Sequence, residues 1–156
     1  MTPATMLWTP AYRPPEDLPQ TGQQSLFTIT GLVRLHYLCA RVTTVLGASA
    51  SVLKFVYDPT MAGANTDLCA AAAMSALAAG NWFFCWGFFL AATPLKASTG
   101  GGSPQDASGF TPMRFNPVHL PAGAILLDAS GVQTGQAEYY AGWQAVTPGS
   151  SLVVTP

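Results

Sequence analysis

Of 156 residues, 6 are Lys or Arg and 7 are Asp or Glu, so 8% of the chain is charged against 49% hydrophobic, with a formal net charge of −1. Soluble domains are ordinarily roughly 25% charged, and this balance excludes both intrinsic disorder and the basic surface with which proteins displace counterions from nucleic acid. The length suits one domain with its own core, and so few charges protect a free monomer poorly, so neighbours are expected to cover part of its surface.

Residues 1–24 carry Pro3, Pro10, Pro14, Pro15 and Pro19. Proline fixes φ and removes a backbone donor, which predicts an extended N-terminal arm and not a packed element. Its large apolar groups, Met6, Leu7, Trp8 and Tyr12, are then candidates for contact with a surface, its own or a partner's. No basic segment followed by an apolar one opens the chain, so no secretory signal is expected. Cys39, Cys69 and Cys85 each sit in an apolar segment. They read as buried free thiols of a protein made and assembled in the cytoplasm.

The domain proper is expected over 25–156. Phe27 and Ile29 alternate with threonines, and after Gly31 the positions Val33, Leu35, Tyr37 and Cys39 share one face while Arg34, His36, Leu38 and Ala40 share the other. Ser49 to Tyr57 alternates again before Asp58-Pro59. Such period-two runs with Gly and Pro between them predict strands.

Leu68 to Leu95 holds 28 residues without a charge, longer than the ~20 that span a bilayer as a helix. Gly80-Asn81 at its centre, and aromatics in its middle where a span would have them at its ends, argue against that, so no membrane partner is expected. Leu68 to Ala79 is ambiguous between a short helix and a buried strand, with the strand favoured. Trp82 to Phe89 reads as an aromatic strand, and Trp82, Phe83, Trp86, Phe88 and Phe89 are candidates for subunit packing or core. Residues 96–117, with Gly100-Gly101-Gly102 and three prolines, predict a long surface loop. Ala124 to Leu127 and Gln136 to Val146 are then expected as a final strand pair around a turn at 128–135. The whole predicts an all-β fold, an antiparallel β-sandwich or jelly-roll-like barrel.

Chemistry-bearing residues are sparse. His36 and His119 are the two histidines, and no C-x-x-C or H-x-x-x-H spacing accompanies them. Asp128 and Glu138 could meet across a final hairpin as paired carboxylates, but an Asp opening a turn ordinarily bonds its own backbone. Asn65 and Asp67 begin no complete calcium loop, and phosphate-cradle and nucleophile-elbow motifs are lacking. No enzyme, cofactor or metal is expected. Aromatics are plentiful instead, with 4 Trp, 8 Phe and 5 Tyr, more than a sandwich of this size needs inside, and subunit contacts favour them. A sugar-binding platform of Tyr139, Tyr140 and Trp143 is a weaker alternative. Alternation puts Tyr139 and Trp143 on one strand face, with Glu138, Tyr140 and Gln144 on the other.

Leu18-Pro19-Gln20-Thr21 followed by Leu26 to Gly31, then Arg41-Val42-Thr43-Thr44, Thr66-Asp67-Leu68-Cys69, Leu120-Pro121-Ala122-Gly123-Ala124-Ile125, Gln133-Thr134-Gly135 and Pro148-Gly149 stand in order along the chain. This series resembles the small capsid decoration, cement or minor head proteins of tailed bacteriophages. Arg41 departs from the acid usual there, and 82–117 is longer and more apolar than the usual hairpin. The resemblance implies a β-rich virion structural protein on the capsid surface that binds across major capsid protein subunits and associates with itself, often as a homotrimer. A tail-associated structural role is the nearest alternative.

Overall fold

In the computed structural model, the residues described are 8–19, 22–48, 51–61, 63–85 and 117–156, with the backbone alone at 96–98. Met6, Leu7, Trp86, Phe88, Phe89 and most of the predicted loop lie outside them.

Among the described residues all regular structure is strand: β1 (Thr9–Asp17), β2 (Gly22–Thr30), β3 (Val33–Thr44), β4 (Val52–Pro59), β5 (Thr66–Asp67), β6 (Ala72–Ala73), β7 (Trp82–Phe84), β8 (Lys96–Ser98), β9 (Val118–Leu120), β10 (Gly123–Ala129), β11 (Gln136–Ala145) and β12 (Ser151–Val154). They form two antiparallel sheets packed as a sandwich. The first runs β1-β11-β3-β7-β8, with β9 beside the N-terminal end of β3. The second runs β12-β2-β10-β4-β5, with β6 on the same edge of β4 as β5. The strands β1 to β4 therefore alternate between sheets, as do β10 to β12, and β1-β11-β3-β7 facing β2-β10-β4-β5 is the strand order of a jelly roll.

Alternation explains the core. Ala137, Tyr139 and Ala141 of β11 and Ile125, Leu127 and Ala129 of β10 all point inward and are buried. Phe55 of one sheet meets Phe83 of the other with ring centroids 6.1 Å apart, and Phe83 meets Tyr139 at 6.5 Å. Fully burying each such ring contributes about 2–3 kcal/mol before entropy is charged against it.

β3 and β2 each carry a bulge that breaks the alternation of core residues. Gly142 pairs with Tyr37 but Trp143 pairs with Leu35, so His36 is an extra residue on β3. A one-residue bulge exchanges the faces of everything beyond it. Val33 and Leu35 face the core before it, and Leu38, Ala40 and Val42 after it. Unbroken parity assigned Leu38 and Ala40 to the face opposite Val33, and the bulge reverses that. On β2 the register slips between Ile125 and Leu126 of its partner, which leaves Leu26 extra and lets the neighbours Leu26 and Phe27 both point inward.

Three further expectations change. Residues 9–17 of the predicted arm are extended, as their prolines require, but they are paired along β11 as the edge strand β1. An edge tolerates missing donors, and the ladder slips between Arg13 and Glu16, where Pro14-Pro15 sit. β10 and β11 are strands but not a hairpin, since they lie in different sheets. Leu68 to Ala79 is neither a helix nor one buried strand. It holds the short β6 between bends and turns, with Leu68, Cys69, Met74 and Leu77 anchored in the core. The Gly80-Asn81 turn forms as expected, with Gly80 at φ +88°, and no helix among the described residues is long and apolar enough to cross a membrane.

Candidate interaction face

The outer face of the first sheet gathers the aromatic side chains that the core does not take. Across it, register aligns Tyr12 with Tyr140 and Tyr140 with Cys39, and in the adjoining row Glu138 with Arg41 and Arg41 with Trp82. The rings of Tyr12 and Tyr140 are 5.1 Å apart and those of Trp82 and Tyr140 are 5.4 Å apart, each pair tilted by 41°. Tyr12 is 47% exposed, Trp8 is 38% exposed, and Trp82 and Tyr140 are half-buried.

Glu138 is the polar centre of this patch. Its carboxylate is buried while Arg41 beside it is half exposed, with Arg41 Nε 2.6 Å from Glu138 Oε1. The Tyr12 hydroxyl donates to Oε2 at 3.0 Å. That bond raises the Tyr12 phenol above its ordinary value, because ionisation would place two anions together. Tyr140 is pushed up to about 12 by burial first and by its own hydrogen bond to Glu138 second. Both phenols stay protonated at neutral pH and donate to the carboxylate.

Trp8 stacks on His36 with centroids 4.7 Å apart and lies 6.0 Å from Tyr37. Tyr37 in turn lies flat over Gly142, whose hydrogen leaves the only room its ring has. His36 is buried with Nε2 unpartnered. Burial first and the Arg34 charge second lower its pKa, against a raising hydrogen bond with Gln144. The neutral ring is therefore the folded form, so its contribution to stability is complete above the unfolded value near ~6.5. It is lost as pH falls from there toward the lower folded value. Urea midpoints are expected to drop between pH 7 and 5, and to drop less in His36→Gln; equal pH dependence would refute the assignment.

The candidate residues thus separate. Trp8, Tyr12 and Trp82 share the outer face, whereas Phe83 is wholly buried. The sugar platform does not form, because Tyr139 is wholly buried and Trp143 packs against the core from the inner side. Asp128 and Glu138 lie on the outer faces of opposite sheets. Asp128 meets Lys54 at 3.7 Å, and Lys54 also holds Asp67 at 2.8 Å. Among the described residues no three His, Cys, Asp or Glu side chains converge as a metal site. Sequence reasoning missed that Arg41, Glu138 and Tyr140 join Tyr12 and Trp82. Alternation along β11 places Glu138 and Tyr140 on one face, but nothing local reveals that β1 lies alongside.

Compared with known protein families, curated proteins and solved structures, the chain gives no match.

Proposed function

We propose that this chain is a non-enzymatic structural subunit of a tailed-phage virion, which decorates or cements the assembled capsid by binding across major capsid protein subunits. On this reading it is made in the host cytoplasm, associates with itself as a homotrimer, and resides on the capsid surface. The observation that carries the reading is the outer aromatic face of Trp8, Tyr12, Trp82 and Tyr140, which lies outside the core with Trp8 and Tyr12 exposed and is backed by the Glu138 network. Aromatic anchors of this kind dominate protein interfaces. The ordered motifs from residue 18 to 149 support it too, as does a jelly-roll architecture, which capsid domains use among many others. A subunit that binds only the assembled shell stabilises that shell by mass action.

Light scattering of the purified protein is expected to give a discrete oligomer near three times 16.3 kDa. Deleting residues 1–24 would remove β1 and confound the result, so the informative truncation is 1–7. Trp8→Ala and Trp82→Ala are each expected to weaken binding to purified shells about thirtyfold, as loss of ~2 kcal/mol at an aromatic anchor does. Monomers whose shell binding ignores both substitutions would sink the proposal.

A further inference from the structure

Two of the three thiols are placed together by opposite sheets. The Leu68 N–H donates to the Phe55 carbonyl of β4 at 2.9 Å, and the Cys85 N–H donates to the Leu38 carbonyl of β3 at 3.1 Å. Cys69 is thus tethered to one sheet and Cys85 to the other. Both are buried in the core between the sheets. Cys85 Sγ donates to the Leu68 carbonyl at 3.3 Å, the Phe55 N–H donates to Cys69 Sγ at 3.4 Å, and the two thiols hydrogen-bond each other.

We propose that Cys69 and Cys85 are a redox modification site, closing into an inter-sheet disulfide when the protein meets a small disulfide oxidant of the glutathione type. The Cys69 thiolate attacks one sulfur of the oxidant, forming a mixed disulfide and expelling one thiolate. Cys85 then loses its proton to that thiolate and attacks Cys69 Sγ, expelling the second. Two protein thiols become one disulfide, and the oxidant takes both electrons and both protons to leave as two thiols.

Three features support this order. Cys69 is held below the ordinary thiol value, by its hydrogen bond with Cys85 first and that from the Phe55 N–H next, against a raising effect of burial. Cys39, by contrast, is pushed up to about 12 by burial, which keeps it an inert thiol. Access comes from the short ladders around the pair: β5 and β6 are two residues each and β7 is three, and such short ladders open locally more readily than a long core strand.

The test is to incubate the reduced full-length protein with oxidised glutathione, without denaturant, and measure intact mass, linked peptides and Tm. Expected are the loss of two hydrogens, a Cys69–Cys85 linked peptide, free Cys39, and a Tm rise of roughly 5–10 °C reversed by dithiothreitol. Cys39→Ser is expected to respond identically, and Cys85→Ser to stop at the mixed disulfide on Cys69. An unchanged mass after prolonged incubation, a link through Cys39, or a glutathione adduct that persists in the parent protein would overturn the proposal.

Discussion

Gly135→Ala is expected to lower stability by about 3 kcal/mol or more, combining backbone strain with overlap. Gly135 has φ +107°, in the left-handed region that side chains disfavour. A Cβ there would stand 2.6 Å from the Val45 carbonyl oxygen, 2.9 Å from that of Thr44 and 3.0 Å from Leu46 Cα. These are backbone atoms, which cannot swing aside as a side chain does. The same residue accepts the Leu18 N–H at 3.1 Å, so moving it would loosen Leu18, a wholly buried anchor. Gly149 separates the two causes, since it has φ +80° but open space around its Cβ position. Gly149→Ala is expected to cost only the strain, about 1 kcal/mol. Equal shifts of the two urea midpoints would show that overlap at Gly135 is relieved cheaply.

The second large effect belongs to Arg13→Leu. Arg13 is buried at one edge of the sandwich, although it stands on the edge strand β1. Its Nη1 donates to the Leu26 carbonyl at 3.0 Å and to the Thr155 carbonyl at 2.6 Å, while Nη2 and Nε engage the Glu16 carboxylate. One guanidinium thus ties the first sheet to β2 and to the C-terminal tail of the second. Leucine leaves the Thr155 carbonyl and the Glu16 carboxylate without the guanidinium, while the Leu26 carbonyl keeps only the Thr155 N–H at 3.1 Å, and the loss costs about 3 kcal/mol. For a chain of this size that is a Tm lower by roughly 6–12 °C. Arg13→Lys is expected to recover only part, because a single ammonium cannot span the fork. Thermal melts giving full recovery with Lys would mean that the planar fork is irrelevant, and equal losses for Lys and Leu that the charge alone contributes nothing.

Strand positions and the mainly all-β composition were legible because alternation with a period of two is written directly into residues such as Phe27, Ile29, Leu53 and Phe55. Which strands pair was not. Period two fixes the face of a side chain but carries no partner label, and the expectation that consecutive strands pair fails where consecutive strands change sheets, as β1 to β4 and β10 to β12 do. That is why Ala124 to Leu127 and Gln136 to Val146 read as a hairpin, and why β1 read as an extended arm with no particular strand to lie against. The bulges are hidden for a different reason: an extra residue such as His36 is recognised only by the strand it slips against. The interaction face needed both kinds of information. Tyr12, Arg41, Trp82, Glu138 and Tyr140 come from four strands, and they converge only once pairing and register are known.

The jelly-roll order also dictates a timetable for making the protein. Tyr12 and Glu138, joined across β1 and β11, are 126 positions apart. A ribosome adds roughly 5–20 residues per second, so β1 waits roughly ten seconds for the strand it pairs with. β2 waits likewise for β10 and β12. During that interval the nascent chain presents apolar segments such as Leu68 to Phe84 with neither sheet assembled. Closing such distant ladders carries a large loop entropy, which makes folding slow and late. Yield of this protein should therefore respond strongly to holdase chaperones and to slower, cooler synthesis, because its native state begins only when its last strands leave the ribosome.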